Sequence, residues 1–405
     1  MTIQRILVAV TLFASATVHA DVGDLTPVRC DIKGALEVRQ SYTSGRGTKP
    51  NADAGTVHPM ATVLTARSGD LTVDLAIDSA DAKASAPNLV RFDFTGKGKF
   101  NDQDVAPLKS ASTGTSYYQA TFGPAVISVQ RGGRAVPVTV QGVYYRSSSS
   151  RRAQFTLVAG VEGKCAFGEK TFAVRIIDGN GNIAFGDKTT AQRSGGRAVG
   201  YVMGDTLAID TGDGTFTKSV QKCMFGQPVL VGGSWYQVTV TADASKVQGR
   251  PLELKAGKLR IAHDHWSCVM VGGNDVLHVS GGREPVSLPA GPYTVVSYAE
   301  YTGEASQAPR GALSSGRMAG YSGRSKTCQV AAEKVTELVV GSPMTASVVT
   351  SQSGRALQFN LRLVDASGVQ VDSLFLPGRR IPPPPKVKIL NAAGKQIYAA
   401  TLEYG

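Results

Sequence analysis

The sequence contains no Gly-x-Ser-x-Gly elbow, no His-Glu-x-x-His pair and no phosphate-binding Gly-rich loop. Those absences remove the common signatures of serine hydrolases, zinc peptidases and nucleotide-binding enzymes. None of the five cysteines stands in a Cys-x-x-Cys pair, so zinc-ribbon and thioredoxin-type readings have no support. Acidic residues are scarce: 31 Asp and Glu stand against 43 Lys and Arg, for a net charge of +12. The basic residues are scattered through Ser- and Gly-rich turns without the interleaved aromatics of a nucleic-acid site. The tightest cluster, Arg146 to Arg152, reads as a solvated loop. Such a charge permits weak association with anionic envelope polymers or other envelope proteins. Beyond residue 20 no apolar run is long enough for a transmembrane helix.

What is present begins with an export signal. Met1 to Ala20 has a basic start at Arg5, an apolar run from Ile6 to Ala14, and an ending Val18-His19-Ala20 with small residues at the positions a signal peptidase reads. That is the layout of a secretory signal peptide, with cleavage near Ala20 and a mature chain from Asp21. Losing Arg5 takes the charge from +12 to +11. Cys30 lies too far from the cleavage position to carry a lipid. The expected location is therefore periplasmic or extracellular, where disulfides are permitted. Sequence position suggests Cys165–Cys223 and Cys268–Cys328, leaving Cys30 over; buried free thiols are the equal alternative, because connectivity cannot be deduced from spacing.

Hydrophobicity alternates with period two in Leu71–Ile77, Ala173–Ile177, Tyr236–Val240 and Gln358–Val364, each run closed by Gly, Asp, Asn or Ser. That is the mark of short antiparallel strands. With 46 Gly and 19 Pro along the chain, long helices are not expected. The expected class is all-β: tandem small sandwich or barrel modules, then immunoglobulin-like sandwich modules. The predicted boundaries are 1–20 for the signal peptide, 21–160 and 161–250 for two related β modules, 251–340 for a sandwich, and 341–405 for a C-terminal immunoglobulin-like module. Within the last, Pro382–Pro385 should be extended polyproline.

Two elements recur. Gly-Gly turns at Gly132-Gly133 and Gly232-Gly233 separate strand-like runs, as in hairpins. Asp/Asn/Gly loops run from Asp93 to Asp102, from Asp178 to Asp187 and, shortened, from Asp210 to Phe216. In the first two, Phe follows the first Asp by seven residues and a second Asp follows by nine. These loops, with Gly204 to Leu207, Pro382 to Lys386 and the Leu402–Gly405 ending, carry a resemblance. The chain resembles a loose group of uncharacterised secreted bacterial β-rich proteins with degenerate EF-hand-like loops and a Pro-rich C-terminal module. The resemblance touches most of the mature chain through short motifs and brings no activity with it. The first and third loops depart from the pattern by losing acidic positions.

Three constellations could carry chemistry. Asp178, Asn180, Asn182 and Asp187 place oxygens at the alternate spacing of a calcium loop, although Ile183 stands where such a loop takes Gly. The first loop puts Lys97 at a ligand position, which repels a cation. Leu207 to Gly212 matches the apolar-apolar-Asp-Thr-Gly signature of aspartic peptidases, which share a proton between facing carboxylates. Asp78 heads the nearest second copy, but Ala80 replaces its Gly. His263, His265 and Cys268, with His278 beyond, offer metal-type ligands without a complete set. The expected function is that of an exported, non-enzymatic β protein with a structural or binding role; the alternative is an aspartic-type peptidase using Asp210.

Overall fold

The computed structural model describes residues 22–30, 40–45, 47–50, 53–55, 57, 61–68, 71–79, 87–113, 117–273, 275–301, 326–354, 356–368, 370–371, 383–384 and 386–401. The signal-peptide reading and both ends of the Pro run, Pro382 and Pro385, lie outside the described residues. Those described contain strands and turns and no helix, so the class is all-β. None of them forms a helix able to cross a membrane.

The alternating runs become two barrel-like sheets. The first uses β2 (Gln40–Gly45), β3 (Thr62–Ser68), β4 (Leu71–Asp78), β5 (Leu89–Asp93), β6 (Val105–Thr113), β7 (Tyr117–Arg131), β8 (Arg134–Ser147) and β9 (Arg151–Val158). Their order is β2-β9-β8-β7-β6-β5-β4-β3. The two edges meet where Thr48 and Val63 exchange backbone hydrogen bonds of 3.0 and 2.9 Å. Closure removes the unpaired edge that would otherwise template aggregation. Inward residues such as Phe92, Phe122, Tyr144 and Phe155 fill the interior.

The second sheet takes β1 (Gly23–Val28), β10 (Gly160–Phe167), β11 (Lys170–Ile177), β14 (Thr206–Asp210), β15 (Val220–Met224), β16 (Val229–Val231), β17 (Ser234–Val240) and β18 (Lys246–Leu252). It runs β15-β14-β11-β10-β1-β18-β17-β16. Its edge strands β15 and β16 are joined by only Phe225 to Pro228, which curls the sheet around its core. Because β1 lies here, the first barrel begins only at β2, and the region expected as 21–160 contributes to both barrels. The anticipated Gly-Gly turns join β7 to β8 and β16 to β17. All four glycines have positive φ, between 57° and 88°, which a two-residue hairpin turn of this hand requires.

Residues 256–340 form a sandwich. One sheet is β22-β19-β25, from β19 (Ala256–Arg260), β22 (Val286–Pro289) and β25 (Val335–Glu337). The other is β21-β20-β23-β24, from β20 (His265–Gly272), β21 (Asp275–Gly281), β23 (Gly291–Tyr301) and β24 (Lys326–Val330). Trp266, Met270 and Val295 are buried between them. The Pro-Ala-Gly turn is fixed by Tyr293, whose hydroxyl donates to the Pro289 carbonyl at 2.8 Å.

The three bodies are joined by apolar contacts. Met224 of the second barrel and Ala198, from the hairpin β12 (Thr190–Ser194) and β13 (Arg197–Val202), pack on Val269, Val271, Val276 and Val296 of the sandwich. Beyond Val340 no compact sandwich is present among the described residues. Two hairpins stand instead, β26 (Thr345–Ser353) with β27 (Ala356–Val364) and β28 (Lys386–Leu390) with β29 (Gln396–Thr401). The described residues of the expected 341–405 module are thus two paired ribbons with apolar residues exposed at Val348, Leu361, Ile397 and Tyr398. A single hairpin has no second layer with which to bury such a face.

The suggested disulfides are likewise not formed, and all five cysteines are free thiols. Cys268 and Cys328 sit on β20 and β24, with β23 between them. Two strand spacings of about 4.8 Å exceed the ~7 Å that a bridge spans. Cys165 and Cys223 share the second barrel's core without bonding. The Cys165 Sγ instead lies against Gly249 of β18.

Candidate functional site

The three acidic loops are built alike. Each opens on a buried Asp at the end of a strand: Asp93 at the end of β5, Asp178 after β11 and Asp210 at the end of β14. In each, one carboxylate oxygen accepts a backbone N–H two or three residues on, and the other accepts N–H groups further round the loop. Asp93 takes Thr95 N at 2.7 Å, then Lys97 N at 2.9 Å and Lys99 N at 3.0 Å. Asp178 takes Gly181 N at 2.6 Å and Ile183 N at 2.7 Å. Asp210 takes Gly212 N and Phe216 N, both at 2.7 Å. A short acceptor side chain holding a turn's amides is the ordinary reason for Asp in such a place.

The middle loop is the most deeply set. Asp178 and Asp205 are both fully buried. Asp205 accepts Gly179 N at 3.3 Å, Gly186 N at 2.7 Å and Asp187 N at 2.9 Å, so two carboxylates bind five amides of one loop. Asp187 accepts the side-chain amides of Asn180 and Asn182, each at 2.8 Å. The four residues singled out as calcium ligands are therefore brought together, and Asp205 joins them. Sequence spacing missed Asp205 because it arrives from the other side, just before β14. Its only signal was a lone Asp following Gly204.

The oxygens in this cluster are already engaged. The Asn180 side-chain carbonyl accepts Asn182 N at 3.2 Å, and that of Asn182 accepts Ala184 N at 2.9 Å. Both asparagines thus turn their NH₂ groups, not their oxygens, toward Asp187. No group of three metal-type ligands converges among the described residues. Burial pushes the Asp178 carboxyl up to about 7, against the backbone donors of Ile183, Gly181 and Asn182. Burial, and then the neighbouring Asp178 charge, raise Asp205 well above the usual carboxylate range.

Ile183 shows what the loop does. Its φ is +57°, a left-handed conformation that β-branched residues rarely adopt. It occupies the place where a calcium loop takes Gly. Its side chain is fully buried, and not in its own barrel: it packs in the core of the first, with Phe155 and Leu157. Phe185 touches the cores of both barrels. The Phe of the first loop, Phe100, is buried in a small apolar cluster, whereas here Ile183 is the plug. At the third loop Phe216 is half-buried beneath Arg175, whose guanidinium lies 4.1 Å from the ring centre. Further contacts seal the joint: Arg134 donates to Leu25 O at 2.7 Å and to Ala244 O at 3.0 Å.

The other candidates are dispersed. Asp78 is in the first barrel, where Arg91 Nε donates to it at 2.8 Å; Asp210 is in the second. His263 makes a 2.9 Å hydrogen bond with Val340 O. Cys268 points into the sandwich core. His278 pairs with Val269, next to Cys268 on β20, so the two side chains take opposite faces of the sheet. Burial depresses the His278 imidazole to about 4. Gln227 of the second barrel clasps its backbone, accepting His278 N at 2.9 Å and donating to His278 O at 3.3 Å.

One arrangement has no counterpart in the sequence reading. Around the open end of the first barrel, arginines lie on tyrosine rings, Arg146 over Tyr118 at 5.0 Å and Arg152 over Tyr145 at 5.6 Å. Tyr117 and Tyr145 are in tilted contact at 6.2 Å. These pairs are far apart in sequence, and only the strand register unites them. No family model, curated protein or solved structure matches the chain.

Proposed function

We propose that this is an exported, non-enzymatic multi-module β protein, a structural or binding component of the cell envelope or extracellular space. The observation that carries the reading is the use made of the buried carboxylates. Asp93, Asp178, Asp205 and Asp210 hold loop amides, and Asp78 holds Arg91. Residues of the right type for catalysis are thereby engaged in keeping barrels and joints in shape. The Met1–Ala20 pattern supports export, and the +11 charge that remains supports attraction to anionic envelope polymers.

The test combines cell fractionation with a peptidase assay. The account expects a protein outside the cytoplasm that lacks residues 1–20, and no pepstatin-sensitive peptide cleavage above background. Cleavage that the Asp210→Asn variant abolishes would replace this reading with the aspartic-type peptidase.

A second reading gives the 178–187 loop a weakly held calcium ion. It is favoured by the negative charge of Asp178 and Asp187 acting on the buried Asp205, although the three carboxylates do not converge as a ligand group. A divalent cation would offset that charge. With so many ligand oxygens engaged by N–H groups, the affinity would fall in the weak extracellular range of ~10⁻⁴ to 10⁻³ M.

A further inference from the structure

Residues 105–161 contain no Asp or Glu, and their basic residues are Lys109, Arg131, Arg134, Arg146, Arg151 and Arg152. This stretch holds β6, β7, β8 and β9, which are consecutive in the first barrel. The next strand, β2, also lacks acidic residues. Five adjacent strands therefore form a wall without a carboxylate of its own. A wall of one sign, on a chain already basic, attracts anions that come within about a Debye length.

The wall also has shape. Strand β7 bulges between Phe122 and Ala125 where it pairs with β8. Beside the bulge is a shallow depression of about 330 Å³, bordered by Thr121, Gln141, Val143, Tyr145, Gln154 and Thr156. The register sets Gln119 opposite Tyr145, and Tyr145 opposite Arg152, so these three share one face. Arg152 is exposed, lies over the Tyr145 ring and donates to Gln154 Oε1 at 3.3 Å. Tyr117 is 45% exposed at the rim. Lys109, also exposed, pairs across from Thr121 of the depression and so lies on this same face.

We propose that this face, the depression with Tyr117, Tyr145, Lys109 and Arg152, binds an acidic polysaccharide such as a polyuronate. The inference rests on the exported, binding role given above and names its ligand and place. Amides and hydroxyls supply donors and acceptors for sugar hydroxyls, and a tyrosine edge suits the C–H face of a pyranose. Lys109 and Arg152 supply charge-assisted hydrogen bonds to carboxylates spaced along the chain. Single-stranded nucleic acid is the weaker match. It needs open aromatic faces on which bases stack, and Tyr145 is already covered by Arg152 and flanked by Tyr117.

The test is titration of the mature protein, from Asp21, with polygalacturonate at low salt, with neutral dextran and single-stranded DNA as comparison ligands. Polygalacturonate should bind and dextran should not, and added salt should weaken the complex. The Lys109→Gln/Arg152→Gln double variant should lose affinity about tenfold or more, with melting unchanged. Lys258→Gln, on the sandwich, should bind as wild type does. No binding by wild type, equal binding by the double variant, or tighter binding of DNA would each overturn the proposal. Cytoplasmic retention in the fractionation experiment would sink the export reading separately, whatever the titration shows.

Discussion

The carboxylate of Asp178 accepts the amide of Ile183 at 2.7 Å, and Ile183 carries its side chain out of the second barrel into the core of the first. The amide and the side chain of one residue thus belong to different bodies. The left-handed φ of +57° is what points them in those directions. Removing the acceptor with Asp178→Ala leaves the buried amides of Gly181 and Ile183 unpaired. The expected cost is about 3 kcal/mol, since each such group costs ~1–3. Asp210→Ala should cost less, about 1 kcal/mol, because the exposed backbone of its loop can turn to water. Equilibrium denaturation of both variants checks the order.

Ile183→Gly separates strain from packing. Glycine relieves a left-handed penalty of roughly 1–2 kcal/mol. Deleting a fully buried side chain of this size costs roughly 2–5 kcal/mol. Packing wins, so the variant should be less stable than wild type. Greater stability would mean that the plug contributes nothing.

The buried pair also fixes how stability varies with pH. Asp178 is raised to about 7 in the folded chain, and Asp205 is raised as well. The unfolded carboxyls titrate near ~3.9. Between those values the folded state binds more protons than the unfolded state, so this contribution falls as pH rises from about 4 to about 7. Melting followed across that window should show the decline, and Asp205→Asn should flatten it. A contribution that rises with pH there would contradict the burial argument.

Calcium has a thermal test at the same place. If the three carboxylates hold an ion, millimolar calcium should raise the melting temperature of wild type relative to chelator, and Asp178→Ala should remove the difference. Identical melting in calcium and chelator would leave the loop as a turn closed by its own amides.

Much of the architecture is legible in residue order. Period-two runs such as Leu71–Ile77 and Tyr236–Val240 become strands because alternation puts one set of side chains inside. Gly132-Gly133 and Gly232-Gly233 become hairpin turns because both positions need positive φ. What pairs across the chain is not legible. Nothing local in Gly23–Val28 says that it completes the second barrel beside β10 and β18. Nor does Asp205 announce that it reaches back to amides of the 178–187 loop. The Cys165–Cys223 pairing suggested by sequence position fails for a similar reason: sharing a core does not bring two sulfurs into bonding geometry. The tyrosine–arginine face comes from register alone.

Thiol chemistry checks the cysteine assignment. Burial pushes the Cys165 and Cys223 thiols up to about 12, and Cys328, less enclosed, to about 11. The folded protein should resist an alkylating reagent at pH 8, because the thiolate is the reactive form. Unfolded without reductant, it should take up reagent at all five free cysteines. Uptake at three would reveal a disulfide.

Hydrogen exchange at the Ile183 amide tests the central claim, that the buried acidic loop is a joint holding two barrels together and not a site open to a reactant. The account predicts that this amide exchanges among the slowest in the chain, only with global unfolding, and that Asp178→Ala makes it fast. Exchange of the Ile183 amide within seconds in the native wild-type protein would contradict the claim.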